Sequence, residues 1–281
     1  MITVAKWGPI QSGDQGRRCF NGNGESLLKL EPLEPVLVLS SHLDDAVLSC
    51  GHFLYANPLT TVVTVLAGAP DTNHEGYNSK TTGKPYAPDA ISVRRDEDRQ
   101  ALDYLSATPV WLDFPDHQYL PVDRRPTPAE VAPLLREAVA AAEPSAVFLP
   151  MGLANPDHVL THDAGLAVRA AMVEDGGDLL WFCYEDAGYK HLPGLLAWRV
   201  SKLFRSGLWP TPAVVPVEPD MAAKRTAISL YASQIGPLER DHLLSERLDA
   251  NVPEQFWRLD PPPPGWERLT SSDDLDARRT D

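Results

Sequence analysis

The sequence predicts an α/β fold, a mostly parallel β-sheet flanked by helices. Short apolar runs rich in branched residues recur along the chain, bounded by polar or turn residues, as buried parallel strands are. Longer stretches of helical pattern separate them, so strand and helix alternate, and each return to a parallel strand requires a right-handed crossover. The 281 residues, 43% of them hydrophobic, suffice for the core of one such domain.

Residues 1–34 read as an N-terminal extension and 35–259 as the domain. The first strand is Pro35–Ser40 (PVLVLS), and a helix follows over Asp45–Tyr55. The second strand, Thr60–Leu66, leads to a helix over Asp89–Ser106, with Asp89 at a position that suits an N-cap. The third, Pro109–Phe114, leads to a helix over Thr127–Ala142 whose second residue is proline, compatible with a first turn. The fourth, Ala146–Pro150, leads to His158–Glu174. Leu179–Tyr184 reads as a fifth strand, and Asp220–Asp249 as helix. Gly68–Pro88 has no period; it is either a surface insertion or, because it follows a strand directly, an active-site lid. Residues 260–281 begin with a proline run and end in charge, the composition of a solvated tail.

Several classes are excluded. A net charge of -14 with no Lys/Arg block argues against nucleic acid and anionic membrane, which need a positive footprint. No run approaches the ~20 apolar residues of a membrane span. Met1–Leu30 lacks the apolar stretch of a signal peptide, so a cytoplasmic chain is expected. Three cysteines without a CxxC pair make no disulfide framework. No GxGxxG follows the first strand, and no GxSxG elbow is present, so a dinucleotide cofactor and a serine nucleophile are not indicated.

The chemistry-bearing residues follow strands. The first strand exits into Ser41-His42-Leu43-Asp44-Asp45, at the edge where open α/β sheets bind ligands. His42 and Asp45, three apart across the turn, are ordinary metal ligands that can converge on one cation. Asp44 lies between them, and two adjacent carboxylates repel unless a cation is near. The plain alternative is that one of the two aspartates only caps the next helix. The fourth strand exits into Asn155-Pro156-Asp157-His158 on the same edge, so His158 can join His42 and Asp45. Three protein ligands leave a position open for water or substrate, as in catalytic zinc sites. Iron(II) also accepts two histidines and a carboxylate; calcium and magnesium prefer more oxygens. His162, four residues after His158, either reaches the site or lies on the helix flank. His74 and His117 lie in loops that could face the site. Arg95 and Asp116 are candidate substrate contacts, with an ion pair inside its own acidic helix as the alternative for Arg95.

These strings together resemble the LmbE/PIG-L deacetylase family. SHLDDAVLSCG (Ser41–Gly51) is similar to its first motif, and NPDHVLTHDAG (Asn155–Gly165) to its HPDH motif. VRRDEDRQAL, WLDFPDHQY, YEDAGY and KRTAISLYASQ follow in the family's order, so the resemblance covers roughly residues 35–258. It implies a Rossmann-like domain that hydrolyses the N-acetyl group of a glucosamine-type sugar on a glycolipid, thiol precursor or antibiotic intermediate. It implies zinc on His42, Asp45 and His158, with Asp44 as general base. Asn155 stands where the family has histidine; an amide can donate to an oxyanion but cannot deliver a proton at neutral pH. The expectation is therefore that Asp44 serves as both base and acid, that another histidine such as His162 substitutes, or that activity is weak. A same-family amidase acting on a larger acyl conjugate and a non-catalytic sugar-binding homologue are the alternatives.

Overall fold

The structure, a computed structural model, describes residues 3–4, 31–32, 35–70, 89–215, 217–250 and 253–265. The short strands β1 (Thr3–Val4) and β2 (Glu31–Pro32) pair antiparallel. The main sheet and its helices run β3 (Val36–Ser40), α1 (Asp45–Ala56), β4 (Thr61–Thr64), α2 (Ala90–Tyr104), β5 (Thr108–Trp111), α3 (Pro128–Ala142), β6 (Ala146–Pro150), α4 (Pro156–Glu174) and β7 (Leu180–Tyr184). Then come α5 (Leu195–Arg205), β8 (Trp209–Ala213), α6 (Met221–Ser229), α7 (Ala232–His242), α8 (Leu244–Ala250) and β9 (Phe256–Asp260).

The seven strands lie in the order β5-β4-β3-β6-β7-β9-β8. β5 through β7 are parallel, while β9 pairs antiparallel with both β7 and β8. From β3 the chain first moves outward to β4 and β5, then returns to the other side of β3 as β6 and β7. Strand order therefore reverses between β3 and β6, and the crevice beyond their carboxyl ends is where such sheets bind ligands.

Strand alternation feeds two cores. Val36 and Val38 of β3 face one cluster with α1, α2, α6 and α8, while Leu37 and Leu39 face the other with α3 and α4. Every residue of β3 and β6 is buried, because helices cover both faces.

Some elements depart from the sequence expectation. The third strand stops at Trp111, and beyond it only single bridges, Leu66 with Asp113 and Gly68 with Pro115, hold the two exits together. α4 begins at Pro156, two residues early, because Asn155 caps it. Asp89 stands at the N-cap of α2 without a side-chain capping bond. The helical stretch Asp220–Asp249 is three helices, broken at Leu230–Tyr231 and at Leu243, whose φ of 49° is left-handed. β8 (WPTPA) carries two prolines, which an edge strand tolerates because half of its N–H groups need no partner. Residues 71–88 of the loop and 266–281 of the tail lie outside the described residues. Among the described residues, no helix is long and apolar enough to cross a membrane.

One buried charge pair shapes α1. The helix is interrupted at Cys50 (φ -127°, ψ 23°), which frees the N–H groups of the turn that follows. Glu254 accepts the N–H groups of His52 and Phe53, each at 3.0 Å. Its carboxylate also accepts from Lys224 Nζ at 2.6 Å, and Lys224 is fully buried. A Cβ on Gly51 would lie 2.8 Å from Lys224 Cγ, so only glycine admits the lysine stem here.

Candidate active site

The turn after β3 is fixed by its own polar groups. Ser40 Oγ donates to His42 O at 2.7 Å and accepts from Ala46 N at 3.0 Å. Asp45 opens α1, and its Oδ2 accepts the backbone N–H of His42 at 2.9 Å. Asp44 occupies the N-cap position but makes no side-chain capping bond, so capping does not account for its carboxylate.

His42 Nδ1 and His158 Nε2 each lie 3.1 Å from Asp45 Oδ2. One ligand atom from each of His42, Asp45 and His158 falls within 4.8 Å of the other two, the arrangement a single cation requires. Both imidazoles are backed by a carboxylate on the far nitrogen. His42 Nε2 is 3.0 Å from Asp157 Oδ2, and His158 Nδ1 is 2.6 Å from Asp186 Oδ1. Such outer partners fix the tautomer of a ligating histidine and point its other nitrogen at the metal. Asp186 is itself held, because its Oδ2 accepts the N–H of Leu153 at 3.0 Å. A second set, His42, Asp116 and Asp157, also lies within 4.8 Å, reached through the Nε2 side of the His42 ring.

The electrostatics follow from burial and crowding. Burial and then the charge of Asp45 push the Asp44 carboxyl up to about 7, with His42 and Arg94 opposing. Burial also disfavours ionised Asp45, but the charge of His158 and the bonds from both imidazoles hold it well below the usual carboxylate range. Burial lowers the pKa of His158, yet Asp45 and Asp186 raise it to about 10. His42 likewise is raised well above its ordinary value by Asp157 and Asp45 against burial. Imidazoles that carboxylates hold in the charged form belong to a cluster that favours positive charge, and a divalent cation can supply that charge in place of the protons.

The cavity over this cluster is lined by His42, Asp44, Asp45 and His158, by Arg94 of α2, by Asp116 and His117 from the β5 exit, and by Asn155 and Tyr189. Its outer wall is Gln234, Pro237 and Leu238 of α7. The start of α7 is tied to α2 by two side-chain bonds. Tyr231 Oη donates to Asp98 Oδ1 at 2.7 Å, and Ser233 Oγ donates to Glu97 at 2.6 Å. The strings RRDED and LYASQ thus build the wall.

The cavity holds some expected residues and not others. Asp116 lines it; Gln118 N donates to its Oδ1 at 2.8 Å, and its Oδ2 lies 3.7 Å from His42 Nε2. Asn155 lines it as the N-cap of α4, its Oδ1 accepting from Asp157 N at 2.8 Å and its Nδ2 donating to Tyr189 Oη at 3.3 Å. Arg95 does not line it. Its Nε donates to Ala67 O at 2.9 Å, its Nη2 pairs with Asp113 at 2.5 Å, and its neighbour Arg94 is the cavity residue. His162 is also displaced from the expectation. It is 1% exposed beneath the β6 exit, donating from Nδ1 to Pro150 O at 2.8 Å, while Nε2 meets no partner among the described residues. Burial and then Arg199 press its pKa down to about 3, so it stays neutral. Sequence reasoning assigned no role to Asp157, Asp186, Arg94 or Tyr189. Their signals were the HPDH-like string, read for His158 and Asn155, and the YEDAGY and VRRDED strings, read for order.

Residues 37–169 match the family described as PIG-L: GlcNAc-PI de-N-acetylase. The chain is similar to a solved deacetylase from the biosynthesis pathway of teicoplanin, at 27% identity and TM-score 0.64 over 82% of this chain and 99% of that one. The zinc-inhibited form of teicoplanin deacetylase aligns with 26% identity and TM-score 0.62 over 82% and 99%. A deacetylase of the A40926 pseudoaglycone aligns with 26% identity and TM-score 0.60 over 80% and 97%. No curated protein matches the chain.

Proposed function

We propose that the chain, whose residues 37–169 match the PIG-L family, is a metal-dependent N-deacetylase that removes the N-acetyl group from a glucosamine-type sugar borne by a small molecule, an antibiotic intermediate or a similar glycoside. The observation that carries this reading is the convergence of His42, Asp45 and His158, with a carboxylate behind each imidazole. Two nitrogens and one carboxylate oxygen suit zinc, with iron(II) as the alternative. Three protein ligands would leave a position for water or substrate. The similarity to a deacetylase in the biosynthesis pathway of teicoplanin and to an A40926 pseudoaglycone deacetylase supports an antibiotic intermediate as the substrate.

When bound there, the cation would polarise the acetamide carbonyl and acidify a water. The chain's own residues do the rest. Asp44, beside His42 and facing the same cavity, takes the proton from that water. Asn155 Nδ2 donates a hydrogen bond where the carbonyl oxygen gains negative charge; its Oδ1 is committed to the helix cap, so the amide presents its N–H side. Arg94 and Asp116 contact the sugar or its substituents from the α2 and β5 sides.

Asp44→Asn keeps the size of the side chain and removes the base. Turnover should fall by ~10²-fold or more with metal content unchanged. Turnover within a few-fold of wild type would remove Asp44 as the base.

A further inference from the structure

Asn155 cannot carry a proton, and the departing amine needs one, since an amide anion is too poor a leaving group. Protonated Asp44 is one source, and a histidine across the cavity is the other. His42 and His158 have both ring nitrogens committed to carboxylates, and His162 is enclosed. His117 is different. It is carried by the β5 exit, and its Nδ1 lies 2.5 Å from Asp157 Oδ2. Its backbone N–H reaches the same oxygen at 3.3 Å. Asp157 is 2% exposed on the first turn of α4, so this carboxylate is a fixed anchor. A bond from Nδ1–H to a carboxylate leaves Nε2 as the exchanging atom, and no described residue is recorded on Nε2. The ring lines the same cavity as Asp44, Asn155 and His158.

We propose that His117, oriented by Asp157, is the proton donor to the departing amine. This rests on the deacetylase reading above. In the step, the oxygen of the water deprotonated by Asp44 adds to the acyl carbon. The C–N bond then breaks with its electron pair going to nitrogen, and the Nε2 proton of the His117 imidazolium moves to that nitrogen. The products are the free amine and acetic acid, which gives its remaining hydroxyl proton to solvent and leaves as acetate. Afterwards Asp44 loses its proton to solvent and His117 regains one, so the cycle closes. Asp157 holds the ring by its Nδ1 through the cycle and keeps Nε2 toward the substrate. A donor arriving from the β5 exit does at this edge what an amide at position 155 cannot.

The test uses the metal-loaded full chain with His117→Ala and His117→Gln. Two substrates are compared, an N-acetylated amino-sugar glycoside and 4-nitrophenyl acetate, whose phenolate leaves without protonation. The expected result is a fall in kcat/KM of ~10²- to 10⁴-fold on the amide. The ester rate and the metal content should stay within a few-fold of wild type, and added imidazole should restore part of the amide rate to the alanine variant. Amide turnover within ~3-fold of wild type overturns the role of His117 alone. Equal losses on both substrates, or loss of metal, assign it a structural role and also overturn it. A wild-type chain without metal-dependent hydrolysis of either substrate overturns the deacetylase reading, and the proposal with it.

Discussion

His158 Nδ1 lies 2.6 Å from Asp186 Oδ1, while the other oxygen of Asp186 holds the backbone N–H of Leu153 at 3.0 Å. The carboxylate thus joins a candidate metal ligand to the loop after β6. Outer partners of this kind are worth roughly 10- to 100-fold in metal affinity. Asp186→Ala should weaken zinc binding by that factor, as read by competition with a chelating dye. An unchanged dissociation constant would mean that the His158 ring is set by packing alone.

Arg94 and Arg95 are adjacent but stand on different faces of α2. Only Arg94 lines the cavity; Arg95 is spent on Ala67 O and Asp113. Arg94→Ala should raise KM by ~10-fold or more, the scale of one charge-assisted hydrogen bond. Arg95→Ala should leave KM unchanged and cost at most about 1 kcal/mol of stability, because its partner Asp113 is exposed. Steady-state kinetics on the two variants separate them, and the reverse ranking would refute the assignment.

His162 makes stability sensitive to acid. Its folded pKa is pressed down to about 3 by burial and then by Arg199, whereas the unfolded chain titrates near 6.5. The unfolded state therefore binds the proton first as pH falls. This contribution to stability is complete above ~6.5 and declines by up to about 1.4 kcal/mol per pH unit as pH drops toward 3. His162→Asn, which keeps a donor for Pro150 O, should be less stable than wild type at pH 7 but lose less between pH 6 and 4.5. Urea unfolding across that range reads the difference; parallel curves would count against it.

The sheet was largely legible in the sequence because β3, β6 and β7 are buried almost throughout and so are predominantly apolar. Strand alternation put the exits of β3 and β6 on one edge, which allowed His42 and His158 to meet across 116 residues of chain, whereas the strand order with its reversal between β3 and β6 came only from the structure. What stayed hidden depends on helix azimuth and on strands with weak patterns. Neighbouring residues on a helix point ~100° apart, so the Arg94–Arg95 pair could not be resolved without knowing which face α2 packs. The i,i+4 spacing correctly places His158 and His162 on one face of α4. One turn is a rise of ~5.4 Å, though, which carries His162 past the cavity and under the sheet edge. β8 escaped notice because its prolines argue against a strand, and only its edge position permits them.

A metal-dependent N-deacetylase is tested most directly by acetate release from a panel of N-acetylglucosaminides by the purified chain, before and after chelation, and again with stoichiometric zinc restored. Stoichiometry matters, since one similar deacetylase was solved in a zinc-inhibited form. The expected result is release that stops with chelator and returns near one zinc per chain, with the preferred member identifying the aglycone. A chain that binds one zinc yet releases no acetate from any member would contradict it.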